Sequence, residues 1–137
     1  MTAPRAPSLK IADASRLERH VFVRDLELDA LIGVHTHERG TTQPIRVNID
    51  LTVREGKGPL DDDLASVVDY EEVVKKVRRM VESGHLNLIE TLAERIALVS
   101  FEDPRVIVAR VRIEKLKAIA NAASVGVEIE RLRPDPI

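Results

Sequence analysis

Four side chains carry groups suited to proton transfer or to binding a polar ligand: Glu38, Tyr70, Glu90 and Lys115. Taken one at a time, each also has an ordinary structural explanation. Tyr70 is the only tyrosine and lies just inside a predicted helix, where core packing is the usual role. Glu38 lies in a polar loop, as a surface carboxylate would. Lys115 ends a predicted strand, where a solvated lysine is the default.

Glu90 has two interpretations. Asn87 and Glu90 stand three residues apart at a predicted helix start. This is the spacing of a capping box, in which the carboxylate only closes the helix N-terminus. Alternatively, the two carboxylate oxygens accept hydrogen bonds from two parallel N–H groups of a ligand. The pattern alone favours the capping box.

A metal centre has little support in the sequence. His35 and His37 would share a face on a strand, but a zinc site needs at least a third ligand, and the chain has no cysteine. We interpret both as solvated loop histidines, and His85, which follows a glycine at a helix end, as a turn residue. The sequence shows no phosphate-binding glycine loop, nucleophile elbow or metalloprotease helix motif. We therefore expect neither a metal site nor a bound cofactor.

Composition narrows the class of protein. A chain of 137 residues fits one domain, and with 44% apolar but only 2% aromatic residues its core must be aliphatic. A net charge of −2 gives no field for nucleic acid. No apolar run reaches bilayer length, and the missing cysteines fit a reducing cytoplasm. We expect a cytoplasmic domain over residues 19–137 after a mobile tail, residues 1–18, with neither nucleic acid nor membrane as a partner.

Hydrophobic periodicity predicts the elements that must position these side chains. Alternating apolar residues predict strands over residues 20–34, 44–54, 107–113 and 125–129. Between the second and third strands, two apolar stripes predict helices, one capped by Asp69 and one starting after Asn87. The order ββααββ indicates an α+β fold, with a four-stranded antiparallel sheet and both helices on one face.

This layout leaves the second face and the edges of the sheet without cover. Long exposed edges must be protected or paired with another subunit. Pairing around a ring would bury the edges and enclose a wet interior, so the pattern is compatible with a ring-forming homo-oligomer but does not require one. The residues of the second strand that face away from the helices are too polar for a dry core: Arg46, Asn48, Asp50, Thr52 and Arg54.

Taken together and in order, the segments resemble the dihydroneopterin aldolase family. The resemblance covers about residues 20–131, and its most specific part is Leu-Ile-Glu-Thr-Leu-Ala-Glu at residues 88–94. The other matching segments are Leu31-Ile32-Gly33-Val34, His37-Glu38-Arg39, Gln43, Asp63-Leu64, Val68-Asp69-Tyr70, Glu114-Lys115, Ala118-Ile119 and Val125-Gly126-Val127.

The resemblance implies the tunnelling fold, with subunits joined in a ring of four and two rings stacked into an octamer. It places the active sites between neighbouring subunits. The implied reaction is a metal-independent lyase step toward folate. It converts 7,8-dihydroneopterin into 6-hydroxymethyl-7,8-dihydropterin and glycolaldehyde.

Residue roles follow from the same resemblance. Glu90, with its neighbour Ile89, would bind the pterin, the carboxylate accepting from the ring amino group and the adjacent N–H. Glu38 and Tyr70 would lie near the substrate side chain and the reacting centre, in both binding and catalysis. Lys115 would be the active-site lysine and transfer protons.

One position departs from the family pattern. The family usually has proline directly after the active-site lysine, and this chain has Leu116. Proline would fix φ and remove an N–H group, so leucine predicts that Lys115 is held differently. Lys117 has the same parity and is a second candidate for its role.

Two other functions compete with the lyase. One is an epimerase acting on dihydroneopterin triphosphate, which Arg39, Arg46 and Lys117 would favour by attracting a phosphorylated side chain. The other is a catalytically silent, ring-forming pterin-binding protein. The missing cysteines disfavour a zinc-dependent relative of similar fold.

Overall fold

The computed structural model describes residues 11–134 and confirms the predicted order ββααββ. All neighbouring strands are antiparallel, and the sheet order is β1-β2-β3-β4. The elements are β1 (Glu18–Ala30), β2 (Gln43–Arg54), α1 (Tyr70–Glu82), α2 (Ile89–Ser100), β3 (Val106–Lys115) and β4 (Val125–Leu132). Residues 1–10 of the predicted tail lie outside the described residues. In the described part of the tail, Ala14–Arg16 form a 3-10 turn that leads into β1.

The two helices pack against one face of the sheet, as predicted. Their buried stripes meet the apolar side chains of the strands in an aliphatic core, with one set of alternate residues on β2 almost fully buried. That set is the predicted one: Ile45, Val47, Ile49, Leu51 and Val53.

A β-bulge in β1 corrects the predicted facing of its first half. Val23 pairs with Ile49 and Leu26 with Val47, so three steps on β1 match two on β2. Asp25 at the bulge has a φ of 54°, and its backbone N–H donates to Asn48 Oδ1 at 2.8 Å. Because the extra residue reverses the parity, Phe22 is exposed and does not share the core-facing side with Leu26.

Of the two predicted helix caps, only the one on α1 is present. Asp69 caps α1 as predicted, accepting hydrogen bonds from the N–H groups of Glu71 and Glu72. The residue that precedes α2 is Leu88, which makes no side-chain cap. Asn87 Oδ1 instead accepts from the guanidinium of Arg39 at 3.1 Å.

The second face of the sheet is polar, as predicted, and carries polar pairs between β1 and β2. His20 Nε2 lies 2.7 Å from Asp50 Oδ1, and Arg46 donates to Glu27 at 3.0 Å. This face has no second layer within residues 11–134, and β1 and β4 are the two edges of the sheet. None of the helices in this part of the chain is long and apolar enough to cross a membrane.

Candidate active site

An ion pair between Glu38 and Lys115 joins two segments that are far apart in the sequence. Lys115 Nζ lies 2.7 Å from Glu38 Oε2, and the two side chains are only 15% and 6% exposed. Neither is the solvated residue that its sequence position suggests. Lys115 is the last residue of β3, on the core-facing side like Ile113. Glu38 ends a short 3-10 turn, Thr36–Glu38, in the loop between β1 and β2.

Glu38 has room for its side chain because Gly33 has none. A Cβ added to Gly33 would lie 2.1 Å from Glu38 Cδ, and Gly33 has a φ of +134°. Both the position and the conformation therefore require glycine. One backbone and one side-chain partner hold Gly33 in place, since its N–H donates to Leu86 O at 2.9 Å and its carbonyl lies 2.7 Å from His85 Nε2.

The surroundings of Glu38 favour its charged form. The hydrogen bond from Lys115 lowers the pKa of Glu38 most, from 4.5 to about 2, against the opposing effect of burial. Gln43 Nε2 donates to Glu38 Oε2 at 2.8 Å, and His35 N–H donates to Oε1 at 3.3 Å; both also lower the pKa. Glu38 is therefore a fixed anion at neutral pH.

This low pKa predicts how stability depends on acid. Because the folded-state pKa of Glu38 lies below its unfolded value, its contribution is fully present above pH 4.5 and is lost as the pH falls toward 2. The contribution is on the order of 3 kcal/mol. We expect the stability difference between wild type and Glu38→Gln to shrink over this range in urea titrations. Glu71→Gln, at an exposed glutamate, is the control; a Glu38→Gln difference independent of pH would contradict the assignment.

Leu116 has a backbone role that a proline could not take. Its N–H donates to Pro44 O at 3.2 Å, which extends the β2–β3 pairing one step beyond Lys115. This N–H, which a proline would lack, fixes the end of β3 next to Gln43.

Leu116→Pro tests this backbone bond. We expect it to lower the free energy of unfolding by about 0.5–1.5 kcal/mol, the usual net value of one hydrogen bond. Leu116→Met is the matched control because it keeps the N–H and a similar volume. Equal stability of the two variants in chemical denaturation would show that the bond contributes nothing.

Glu90 lies at the same end of the sheet as the ion pair. The segment that leads into α2 is bonded to the segment after β1, since Leu86 N–H donates to Leu31 O at 3.1 Å. Glu90 is the second residue of α2, so the capping-box interpretation with Asn87 is wrong. Its side chain is exposed, and no other residue within 11–134 makes a hydrogen bond or ion pair with it. Ile89 is buried in the core.

Tyr70 lies at the other end of the sheet. It is 62% exposed, so the expected core packing is wrong, and it lines a cavity with Phe22 and Val53. Lys115 pairs with Ile45, eight residues before Val53 on β2. At the rise of a strand this separation is roughly 26 Å. Within one chain, Tyr70 and Lys115 do not meet.

The side chains of the remaining candidates stay outside this cluster, to which His35 contributes only its backbone N–H. His35 and His37 are exposed and stack on each other with ring centres 5.6 Å apart. Residues 11–134 contain no group of three or more His, Asp or Glu side chains that could hold a metal ion. Lys117 is exposed and pairs with no other residue in this part of the chain.

Sequence analysis missed the part played by Gln43. Its side-chain amide donates to Ile32 O at 2.7 Å as well as to Glu38. A signal was present, because Gln43 and Lys115 occupy core-facing positions of adjacent strands where an apolar residue would be usual. Polar side chains at two such neighbouring positions indicate a buried polar cluster.

Comparison with known proteins gives this architecture a family. The family model described as FolB, dihydroneopterin aldolase, matches residues 21–130. The dihydroneopterin aldolase of Escherichia coli K12 is 33% identical over 114 residues, which cover 81% of this chain and 91% of that protein. The dihydroneopterin triphosphate 2'-epimerase of the same organism is 27% identical over 109 residues, covering 80% and 91%.

A solved structure of a dihydroneopterin aldolase also matches this fold. The crystal structure of E. coli dihydroneopterin aldolase in complex with neopterin matches with a TM-score of 0.76 and 30% identity, covering 82% of this chain and 98% of that one. The chain therefore belongs to the dihydroneopterin aldolase family.

Proposed function

We propose that this protein is a lyase that cleaves 7,8-dihydroneopterin into 6-hydroxymethyl-7,8-dihydropterin and glycolaldehyde. The observation that carries the proposal is the buried Glu38–Lys115 pair at one end of the sheet, with the unpaired carboxylate of Glu90 at the same end. A fixed anion orients the lysine, and a free carboxylate can accept hydrogen bonds from two N–H groups of a pterin ring.

The chemistry needs few groups from the protein. Breaking the carbon–carbon bond requires an electron sink, and the dihydropterin has a C=N bond next to its side chain. A bound water takes the side-chain hydroxyl proton, and the bond electrons move into that C=N group as glycolaldehyde leaves. The resulting enamine then takes a proton on carbon from the ammonium of Lys115, and the proton held by the water restores the ammonium. The protein has to move protons and exclude competing reactions, without a Schiff base or a metal.

Lys115 suits the proton-transfer step. An ammonium group has three donors, and Glu38 is the only residue of 11–134 that accepts from it. The other two donors are open to a substrate hydroxyl or a bound water. Glu38 contributes by fixing the direction of the lysine side chain.

Tyr70 completes the site only if it comes from a neighbouring subunit, because it lies at the far end of its own sheet. Two edge strands and an uncovered polar face support a ring in which that end of one subunit meets the Lys115 end of the next. We propose an octamer of two stacked four-membered rings, with each active site shared between two chains.

Product analysis tests the function. Incubation with 7,8-dihydroneopterin is expected to release glycolaldehyde and 6-hydroxymethyl-7,8-dihydropterin in equal amounts. Turnover is expected to survive exhaustive EDTA treatment, since the substrate supplies its own electron sink. Tight pterin binding without products would support the silent binding protein, and loss of activity that zinc restores would exclude the metal-independent mechanism.

Epimerisation is the second candidate, because an epimerase is among the relatives. Two of the three basic residues that would favour a phosphorylated side chain are already engaged: Arg46 with Glu27 and Arg39 with Asn87. Only Lys117 is unpaired within the described part of the chain. The non-phosphorylated substrate is therefore better supported, and assays with both substrates separate the two.

Glu90→Gln is expected to weaken pterin binding about ten- to a hundredfold, because it replaces one acceptor oxygen by a donor NH₂ and removes a charge-assisted hydrogen bond. Stability should change little, since Glu90 closes no capping box. Fluorescence titration with neopterin and a thermal melt on the same sample measure both. Glu82→Gln, at the exposed last residue of α1, is the control. Unchanged affinity for Glu90→Gln would remove it from the site.

A further inference from the structure

We propose that Gln43 is a positioning residue for the Glu38–Lys115 pair, and that it fixes which carboxylate oxygen faces the lysine. The inference rests on the proposed function, and it assigns to the first residue of β2 a part in the reaction. Gln43 touches neither Lys115 nor, on this proposal, the substrate, and it acts through Glu38.

The hydrogen bonds of Gln43 identify its orientation. Its side-chain nitrogen lies 2.7 Å from the carbonyl oxygen of Ile32 and 2.8 Å from Glu38 Oε2. Both neighbours are acceptors, so the group between them must be the NH₂, and both of its hydrogens are used. The amide links the backbone after β1 to the carboxylate of Glu38. If the amide were flipped, its oxygen would face two acceptors and both bonds would be lost.

The same carboxylate oxygen receives the lysine. Glu38 Oε2 accepts from Gln43 and from Lys115, whereas Oε1 accepts from the backbone of His35. Rotation of the carboxylate would break all three bonds, so Gln43 and His35 hold it from opposite sides. With Glu38 fixed against Gly33, the ammonium of Lys115 has one favoured position.

Gln43 is tied to Lys115 through the backbone as well. Pro44 follows Gln43, and its carbonyl accepts from Leu116, the residue after Lys115. The side chain of Gln43 therefore positions the ammonium of Lys115 through Glu38. The backbone of Pro44 positions the Cα of Lys115 through Leu116. A displacement of about 1 Å in a reacting group can cost about a hundredfold in rate.

Gln43→Met tests the proposal, because it keeps the shape of the side chain and removes both donors. We expect kcat to fall about ten- to a hundredfold, with KM and neopterin affinity within about threefold. Thr42→Ala, at the exposed neighbouring position, is the control and should match wild type. In a Lys115→Ala background, Gln43→Met should add little further loss, because no lysine remains to be positioned. Multiplicative losses, or a KM effect alone, would overturn the proposal.

A measurement without substrate keeps the result separate from the proposed function. Removing the Gln43 donor should raise the pKa of Glu38. As the pH is lowered, the difference in free energy of unfolding between the protein with Glu38 and its Glu38→Gln variant should therefore vanish at a higher pH in the Gln43→Met background than in the wild-type background. If this difference vanishes at the same pH in both backgrounds, Gln43 does not act on Glu38. If wild type lacks turnover but this shift appears, the proposed function fails and the contact between Gln43 and Glu38 stands.

Discussion

Lys115→Ala is expected to reduce turnover about a hundred- to ten-thousandfold, the usual value of a general acid–base group, while neopterin affinity changes little. The lysine is the one described donor in contact with Glu38 that can also lose or gain a proton. Stopped-flow or steady-state product assays measure the rate, and fluorescence titration measures the binding.

The alanine variant alone has an ambiguity, because it leaves a buried carboxylate without its cation, which destabilises a protein by several kcal/mol. Lys115→Arg removes the ambiguity. A guanidinium keeps the ion pair with Glu38 but does not give up its proton at any working pH. We expect near-normal melting with turnover still reduced at least a hundredfold.

Lys117→Ala supplies the comparison two residues beyond Lys115. Lys117 is exposed and pairs with no residue within 11–134, so its loss should be mild. If Lys117→Ala is the crippling change, or if Lys115→Arg works normally, Lys115 is not the proton-transfer group.

The fold was predictable because its signals are local and repeat along the chain. Alternating residues on β2 and apolar stripes on both helices each report one buried face, and together they fix the order ββααββ. The bulge at Asp25 was not predictable in this way. It depends on a side chain of β2, since Asn48 accepts from the N–H of Asp25, and no periodicity within β1 records that partner.

The candidate site was predictable as a set of residues but not as an arrangement. Glu38 and Lys115 are 77 positions apart, and only the register of the sheet brings them together. The environment that buries Glu38 depends on Gly33 and Gln43, whose roles appear only when the loop closes over β2. For Glu90, local spacing was misleading: Leu88 precedes α2 without a side-chain cap, and the side chain of Asn87 accepts from Arg39 instead of capping the helix.

Tyr70 and Lys115 should complement each other between subunits. Lys115→Ala and Tyr70→Ala homo-oligomers are each expected to be nearly inactive, because every site in them lacks one group. When the two variants are unfolded together and refolded as mixed rings, some interfaces join an intact Lys115 from one chain to an intact Tyr70 from the next. With random assembly, about a quarter of the sites are intact, so about a quarter of wild-type activity should return.

The physical reason is the separation within one chain. Tyr70 and Lys115 lie at opposite ends of the sheet, and no side chain spans the distance along β2 between Ile45 and Val53. Mixing the variants without unfolding should restore less, since subunits must exchange. Light scattering on the same samples reports whether rings have formed. A monomer at micromolar concentration, or mixed rings that stay inactive after the variants are unfolded and refolded together, would mean that Tyr70 and Lys115 do not share a site and that the proposed mechanism must do without the tyrosine.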